Sequence, residues 1–314
     1  MKLKRTFAIL MVVFMLICMN LNPTINAKKI SDSKNAVKKQ SYEDGYNDSL
    51  LFVGLTHERY EKMDATMQKI YAEMDLSFVE ETSHYYKVMQ HRGTDENHYS
   101  NQCAQESIEI QEITQQQYFF ETTEYLRNVG YFQMLQTLSS SEDDTSTSWL
   151  EMTTRLASAN TNRWALSNDV SWVQHGTGLY GRNTDVIALG INAQCSIISN
   201  SEYLHRHCTL WDPEPSIPMI DVDYYPTVQV KSAAGYASYY DVESIEINND
   251  VYFLVALTTN NSNATVIDGY GFYLRRNTVV TPSISFGTGG SSISLSPSTG
   301  WSAAPSTHVQ LFLD

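Results

Sequence analysis

The chain has 314 residues, 42% of them hydrophobic, with 21 Lys and Arg against 35 Asp and Glu and a formal net charge of −14 at pH 7. That hydrophobic share supports a real core and excludes global disorder. Phosphate backbones and anionic membrane surfaces are gripped by clustered Lys and Arg, which this chain lacks outside residues 28–39, so nucleic acid is excluded as a partner.

The first residues read as an export signal. Lys2, Lys4 and Arg5 precede an apolar run from Phe7 to Cys18, then Asn20, Asn22, Pro23 and the small Ala27 before Lys28 and Lys29. This is the basic, apolar, polar order of a secretory signal peptide. The run is about a dozen residues, where roughly 20 span a bilayer. Cleavage is expected after Ala27, giving a secreted or cell-surface protein. No later segment is long and apolar enough to be an integral membrane span.

Residues 28–48, rich in Lys, Ser, Asp and Asn, are a flexible lead-in. From Thr56 to Asp75 the pattern turns helical, with Met63, Met67, Ile70, Tyr71 and Met74 forming one stripe and Thr56 as N-cap. Residues 49–138 form an acidic, mixed α/β region: partial alternation through Ile108 and Ile110 suggests a strand, and Leu126, Val129, Phe132 and Leu135 suggest a helix. Residues 139–148 contain no apolar side chain and are read as a linker.

From 149 to 314 the texture is β. Strands are expected at Trp149–Leu156, Trp164–Val173, Asp185–Ile191, Glu202–Trp211, Val228–Tyr240, Val251–Leu257 and Val266–Leu274. A hairpin joins Ile284 and Phe286 to Ile293 and Leu295, and Val309–Leu313 closes the chain. Short strands with polar turns and no helical spacing define a mainly β fold, an antiparallel β-sandwich with a jelly roll as the alternative topology.

Several residue sets carry candidate chemistry. His205 and His207 share one strand face, the spacing that chelates a metal, with Asp221 and Asp223 as further carboxylates. No cofactor is expected from the sequence as a whole; Zn²⁺ at the His pair or Ca²⁺ at the Asp pair are the metal alternatives, against a solvent-facing His pair and a hydrated acidic loop. Trp211 and Trp301, beside Pro and Ser/Gly loops, are candidate ligand-binding aromatics, whereas Trp164 and Trp172 belong to the core. Cys195 and Cys208 flank the Ser199-Asn200-Ser201 turn and are expected to form a disulfide, leaving Cys103 odd. No Gly-x-Ser-x-Gly elbow, His-Glu-x-x-His motif, Walker loop or dinucleotide fingerprint is present.

From Trp149 onward the chain resembles uncharacterised secreted proteins of Gram-positive bacteria. The resemblance rests on Trp172, the run Arg182 to Ala188, and the Ser-Ile-Ser repeats at Ser283–Ser285 and Ser292–Ser294. It implies a secreted β-sandwich and no activity, and no functional residue is carried over.

The expected function is a non-enzymatic β-sandwich that binds an extracellular carbohydrate or protein, with cell-wall carbohydrate as the favoured ligand. Two alternatives remain open at this stage. One is an extracellular hydrolase, metal-assisted through His205 and His207. The other is a pore-forming protein, because Thr281 to Ser298 alternates Ser and Thr with apolar residues.

Overall fold

The computed structural model describes residues 46–91, 107–128, 145–159, 162–173, 183–210, 220–243, 246–260, 263–276 and 278–313. The signal segment 1–27, most of the lead-in, Cys103 and Trp211 lie outside them. The described residues belong to one compact unit, Asp44–Asp314.

A 3-10 helix, Asp48–Val53, is followed by α1 (His57–Glu61), α2 (Ala65–Ala72), β1 (Leu76–His91), β2 (Ser107–Ile113) and α3 (Gln115–Asn128). The chain continues as β3 (Thr145–Ala159), β4 (Arg163–Val173), β5 (Asn183–Ile191), β6 (Cys195–Ile197), β7 (Tyr203–Leu210) and β8 (Ile220–Tyr224). Then come β9 (Val230–Ser232), β10 (Gly235–Val242), β11 (Glu246–Thr259), β12 (Val266–Arg276), β13 (Ser283–Phe286), β14 (Ile293–Ser296), β15 (Trp301–Ala303) and β16 (Thr307–Phe312).

The strands build two packed antiparallel sheets, as the alternation predicts. The first runs β2-β1-β3-β4-β11-β7-β8, with β6 also on β11; the second runs β15-β12-β5-β10-β9, with β16 also on β12. Period-two side chains from both meet in the core: Leu150, Leu166, Val170, Val251 and Phe253 of the first face Ile187, Leu189, Ile267 and Tyr273 of the second. Trp164 and Trp172 are buried among them, as expected.

The core also holds charge. Arg275 is 2% exposed and grips the fully buried Asp185 through Nε at 3.0 Å and Nη2 at 3.1 Å. Its guanidinium lies 4.2 Å from the Trp172 ring, and the Tyr273 hydroxyl donates to the same carboxylate. Pairing of this kind is what makes a buried charge tolerable.

The N-terminal elements differ from the single expected helix. Thr56 caps α1, accepting from Arg59 N at 3.3 Å. Asp64 then interrupts the run and caps α2, accepting from Thr66 N and Met67 N. A side chain that competes for backbone donors starts a new helix instead of continuing the old one. The Met stripe still serves its packing role: Met63, Tyr71 and Met74 are buried against Ala157, Ala165, Tyr252 and Leu254 of the first sheet.

The acidic region does not stand apart from the sandwich. β1 pairs with β3 from Leu76↔Ala159 to His91↔Thr145, and Tyr86 and Val88 sit in the main core. Residues 145–148, read as linker, are the first residues of β3. Thr and Ser extend readily when a neighbouring strand supplies the ladder. Helix α3 begins well before Leu126, the first residue of the expected helical stripe, because the Thr114 hydroxyl accepts from Gln117 N at 3.2 Å.

The Cys195–Cys208 disulfide is a correction: both thiols are free and buried. Cys195 pairs with Thr259 of β11 and Cys208 with Asn249 of the same strand. Ten residues of strand separate those partners, on the order of 30 Å, whereas a disulfide needs Cα atoms within about 7 Å. The turn at residues 199–201 does not fold back into a local hairpin, because β6 and β7 both pair with β11. Burial pushes each thiol up to about 12.

The hairpin β13–β14 forms a third layer over the second sheet. Ile284, Phe286, Ile293 and Leu295 pack on Val186, Ala188, Phe272 and Leu274. At its tip, Gly290 has φ 68° and its carbonyl presses on Gly190, where an added Cβ would lie 2.0 Å from that oxygen. Only glycine permits so close an approach. The apolar face that suggested a pore hairpin is therefore spent inside the fold.

Candidate functional site

The outer face of the first sheet, opposite the second sheet, is covered unevenly. At one end of the strands the 3-10 helix, α1 and α2 cover Tyr252, Leu254 and Ala256. At the other end Tyr118 and Tyr125 of α3 pack on Tyr85 and Trp149. Between them lies a strip of polar side chains, which at its β1 end runs under α3 to the buried Tyr85.

Register places that strip on one line across six strands. Tyr85 faces Glu151, Glu151 faces Ser171, and Ser171 faces Asp250. Asp250 then faces His207, and His207 faces Asp223. With strands about 4.8 Å apart, five steps cover roughly 24 Å.

The structure brings His205, His207, Asp221 and Asp223 together at the β7–β8 end. β7 alternates Tyr203, His205 and His207 outward against Leu204, Arg206 and Cys208 inward, the period of any half-buried strand. The stretch around Asp221 and Asp223, which reads as a loop, is strand β8 paired to β7. Asp223 Oδ1 lies 2.9 Å from His205 Nε2 and 3.0 Å from His207 Nδ1. Its Oδ2 accepts from Lys62 Nζ at 2.7 Å, and Lys62 also reaches Glu58 at 2.9 Å. Asp221 accepts from Thr209 Oγ1 at 2.8 Å.

The electrostatics follow from these contacts. The Lys62 hydrogen bond, with those of the two imidazoles, holds Asp223 well below the usual carboxylate range. Burial lowers the His205 pKa, opposed by its bond to Asp223. Both imidazoles spend a nitrogen on one carboxylate oxygen, and among the described residues no set of three or more His, Cys, Asp or Glu is arranged to hold a metal ion.

Aromatic rings complete this end. His205 stacks between Tyr203, at 6.3 Å and 20°, and Tyr225, at 5.3 Å and 28°. Tyr203 is 3% exposed and its hydroxyl has no hydrogen-bond partner among the described residues. Tyr225 is 48% exposed, a ring offered to solvent on a rigid backing. Its position before Pro226 keeps it extended as β8 ends. Neither β-propensity nor periodicity singles it out among 20 Tyr; the Tyr-Pro dipeptide after an Asp-x-Asp strand is the one local signal. Trp301, the expected platform, is half-buried in β15, packs beside Leu274 and Ile284, and donates to Pro297 O at 2.9 Å.

Two further carboxyls sit along the strip. Glu151 is raised by burial and by the charge of Asp169; Asp250 is raised by burial, with Asp169 adding to it against the Ser171 hydrogen bond. Asp169 itself lies 3.5 Å from both Arg59 and Arg155. At the far end an open pocket of about 400 Å³ is lined by Glu81, Ser83, His84, Tyr85, Glu112, Ile113 and Gln115. There His84 Nδ1 meets Glu112 at 2.9 Å and Gln115 donates to the Tyr85 hydroxyl at 2.9 Å.

Fold and site together define a two-sheet antiparallel β-sandwich protein with one polar, half-buried sheet face. No helix among the described residues is long and apolar enough to cross a membrane. No protein-family model matches the chain, and no curated protein matches it. Among solved structures, the C-terminal domain of the AgI/II polypeptide BspA of Streptococcus agalactiae is similar over 63% of this chain and 82% of its own, at 6% identity and a TM-score of 0.26. AvmM, which catalyses macrocyclization in alchivemycin A biosynthesis, is similar over 48% of this chain and 79% of its own, at 9% identity and a TM-score of 0.21. Likenesses this distant carry no argument about fold or function.

Proposed function

We propose that the chain is a secreted or cell-surface binding protein that takes a carbohydrate on the outer face of its first sheet. The observation that carries this reading is Tyr225. Its exposed ring is stacked on His205 and stands beside Asp223, Lys62 and His207. Aromatic rings offer an apolar face to a ligand whose remaining groups are polar, and the neighbouring carboxylate, ammonium and imidazole supply acceptors and donors for hydroxyls. The export-type N-terminus and the acidic balance support an extracellular ligand that is not a polyanion. Of the two expected aromatics, Trp211 lies outside the described residues and Trp301 is half-buried in β15, so the proposed platform is Tyr225.

Co-sedimentation with peptidoglycan and insoluble polysaccharides tests this. Wild type is retained by at least one of them, and Tyr225→Ala is released while keeping its unfolding midpoint. Equal retention of both proteins removes Tyr225 from the site.

A second reading, an extracellular hydrolase, is favoured by one observation. Glu151 and Asp250 share a register row with only Ser171 between them, and burial raises both, the direction in which a carboxyl moves to serve as a proton donor. Release of reducing ends from the retained polymer, lost in Glu151→Gln, supports it. A polymer that stays intact on long incubation ends it. The metal-assisted version gains no support from the bonds of His205 and His207 to Asp223.

A further inference from the structure

We propose that the strip is one continuous cleft for an extended, non-anionic polysaccharide, running across the strands from the Tyr225 platform to the pocket beside β1 and β2. This rests on the carbohydrate reading and adds a second subsite, a length and a charge class.

The first warrant is register. The platform and the pocket terminate the same row: Asp223 ends it on β8, and Tyr85, which lines the pocket, ends it on β1. Cross-strand pairing fixes side chains to one face with no freedom to slip. The two ends, roughly 24 Å apart, are therefore held at a constant distance, and a ligand touching both is a chain, not a single sugar.

The second warrant is the pocket, which has the make-up of a terminal subsite. Its volume, about 400 Å³, falls within the range of small-molecule sites. Ile113 supplies an apolar wall, while Ser83, Tyr85 and Gln115 supply hydroxyl and amide groups. β2 pairs with β1 only from Tyr85 to His91, so the pocket lies where β2 ends, beside β1 residues that have no strand partner on that side among the described residues.

The third warrant is charge. Along the row and its ends stand Glu81, Glu112, Glu151, Asp169, Asp250 and Asp223. The cations, Arg59, Arg155 and Lys62, are already engaged with Asp169, Glu81, Glu58 and Asp223. These six carboxyls outnumber the three cations, and none of the cations is left over for a ligand, so a polymer bearing carboxylates or phosphates would meet a net excess of like charge. A neutral glycan meets none, and an amine-bearing glycan meets attraction.

The test uses the mature chain and soluble β-1,4-linked oligomers in calorimetric titration: N-acetylglucosamine oligomers as the neutral series, glucosamine oligomers as the amine-bearing series, and galacturonate oligomers as the anionic series. Affinity is expected to rise from dimer to the longest oligomer in the first two series, with no binding in the third. Ser83→Ala/Gln115→Ala is expected to weaken the longest oligomer by roughly tenfold or more while leaving the dimer unchanged. Equal affinity for dimer and long oligomer, with no effect of the double variant, overturns the continuous cleft; if Tyr225→Ala still abolishes binding, the carbohydrate reading survives. Tight binding of the galacturonate series overturns the charge class. Loss of binding in the pocket variant with none in Tyr225→Ala overturns both, as does the absence of binding to every series.

Discussion

The two sheets expose their outer faces to opposite fates. The second sheet turns an apolar face outward and covers it with its own hairpin, so closely that Gly190 and Gly290 meet backbone to backbone. The first sheet is covered at both strand ends by helices but leaves a charged, half-buried strip between them. An outer face that is dry and sealed by the chain itself is structural. An outer face that keeps carboxyls partly desolvated carries a cost, and it is the face on which the proposal places the ligand.

The comparison can be broken at several points, beginning with the interior that both faces share. Arg275→Met leaves the Asp185 carboxylate buried without its cation, and a loss of about 3–5 kcal/mol is expected in urea unfolding. A loss below ~1 kcal/mol would show that water reaches this end of the sandwich. On the sealed face, Gly190→Ala drives a Cβ into the Gly290 carbonyl, and overpacking of this kind costs about 1–3 kcal/mol. The variant should also expose the hairpin to protease; an unchanged midpoint would mean that the third layer contributes little.

The polar face responds to pH instead. The pKa of Asp250 is raised in the fold by burial. Below about pH 4, the unfolded carboxylate value, it is protonated in both states. As pH rises the unfolded state ionises first, so stability is lost as pH passes through the folded value. Asp250→Asn removes that loss. The variant should gain on wild type between pH 4 and pH 7, and a constant difference across that range would contradict the assignment. Asp223 behaves in the opposite sense: its carboxylate is favoured in the fold, and its contribution fades as pH falls below about 4. The smallest stability effect is expected from Tyr225→Ala. The exposed ring should cost less than ~1 kcal/mol, and a larger loss would make it structural.

Much of the sandwich was legible in the chain. Strict alternation at Val251–Leu257 and Val266–Leu274 fixed central strands β11 and β12, and the Ile284/Leu295 hairpin formed as its pattern implies. β1 was not legible. Its sequence, Leu-Ser-Phe-Val-Glu-Glu-Thr-Ser-His-Tyr-Tyr, mixes charge and aromatics because one side faces the polar strip and the other faces the core edge. The Thr145–Ser148 start of β3 was hidden for a related reason: Ser and Thr read as linker until β1 lies beside them. At the site, the His205/His207 and Asp221/Asp223 spacings each showed shared faces. That the four would meet depended on the β7–β8 register, and Lys62, the C-cap of α1, reaches Asp223 from 161 residues earlier in the chain, a contact no local pattern reports.

The most direct test of the assignment of roles to the two faces is hydrogen exchange of the mature chain with and without a polysaccharide that retains it. Binding should slow exchange in β7, β8 and β11 beneath the strip and leave β13 and β14 unchanged. Protection confined to the hairpin or the second sheet would contradict the account and place the functional face on the opposite side of the molecule.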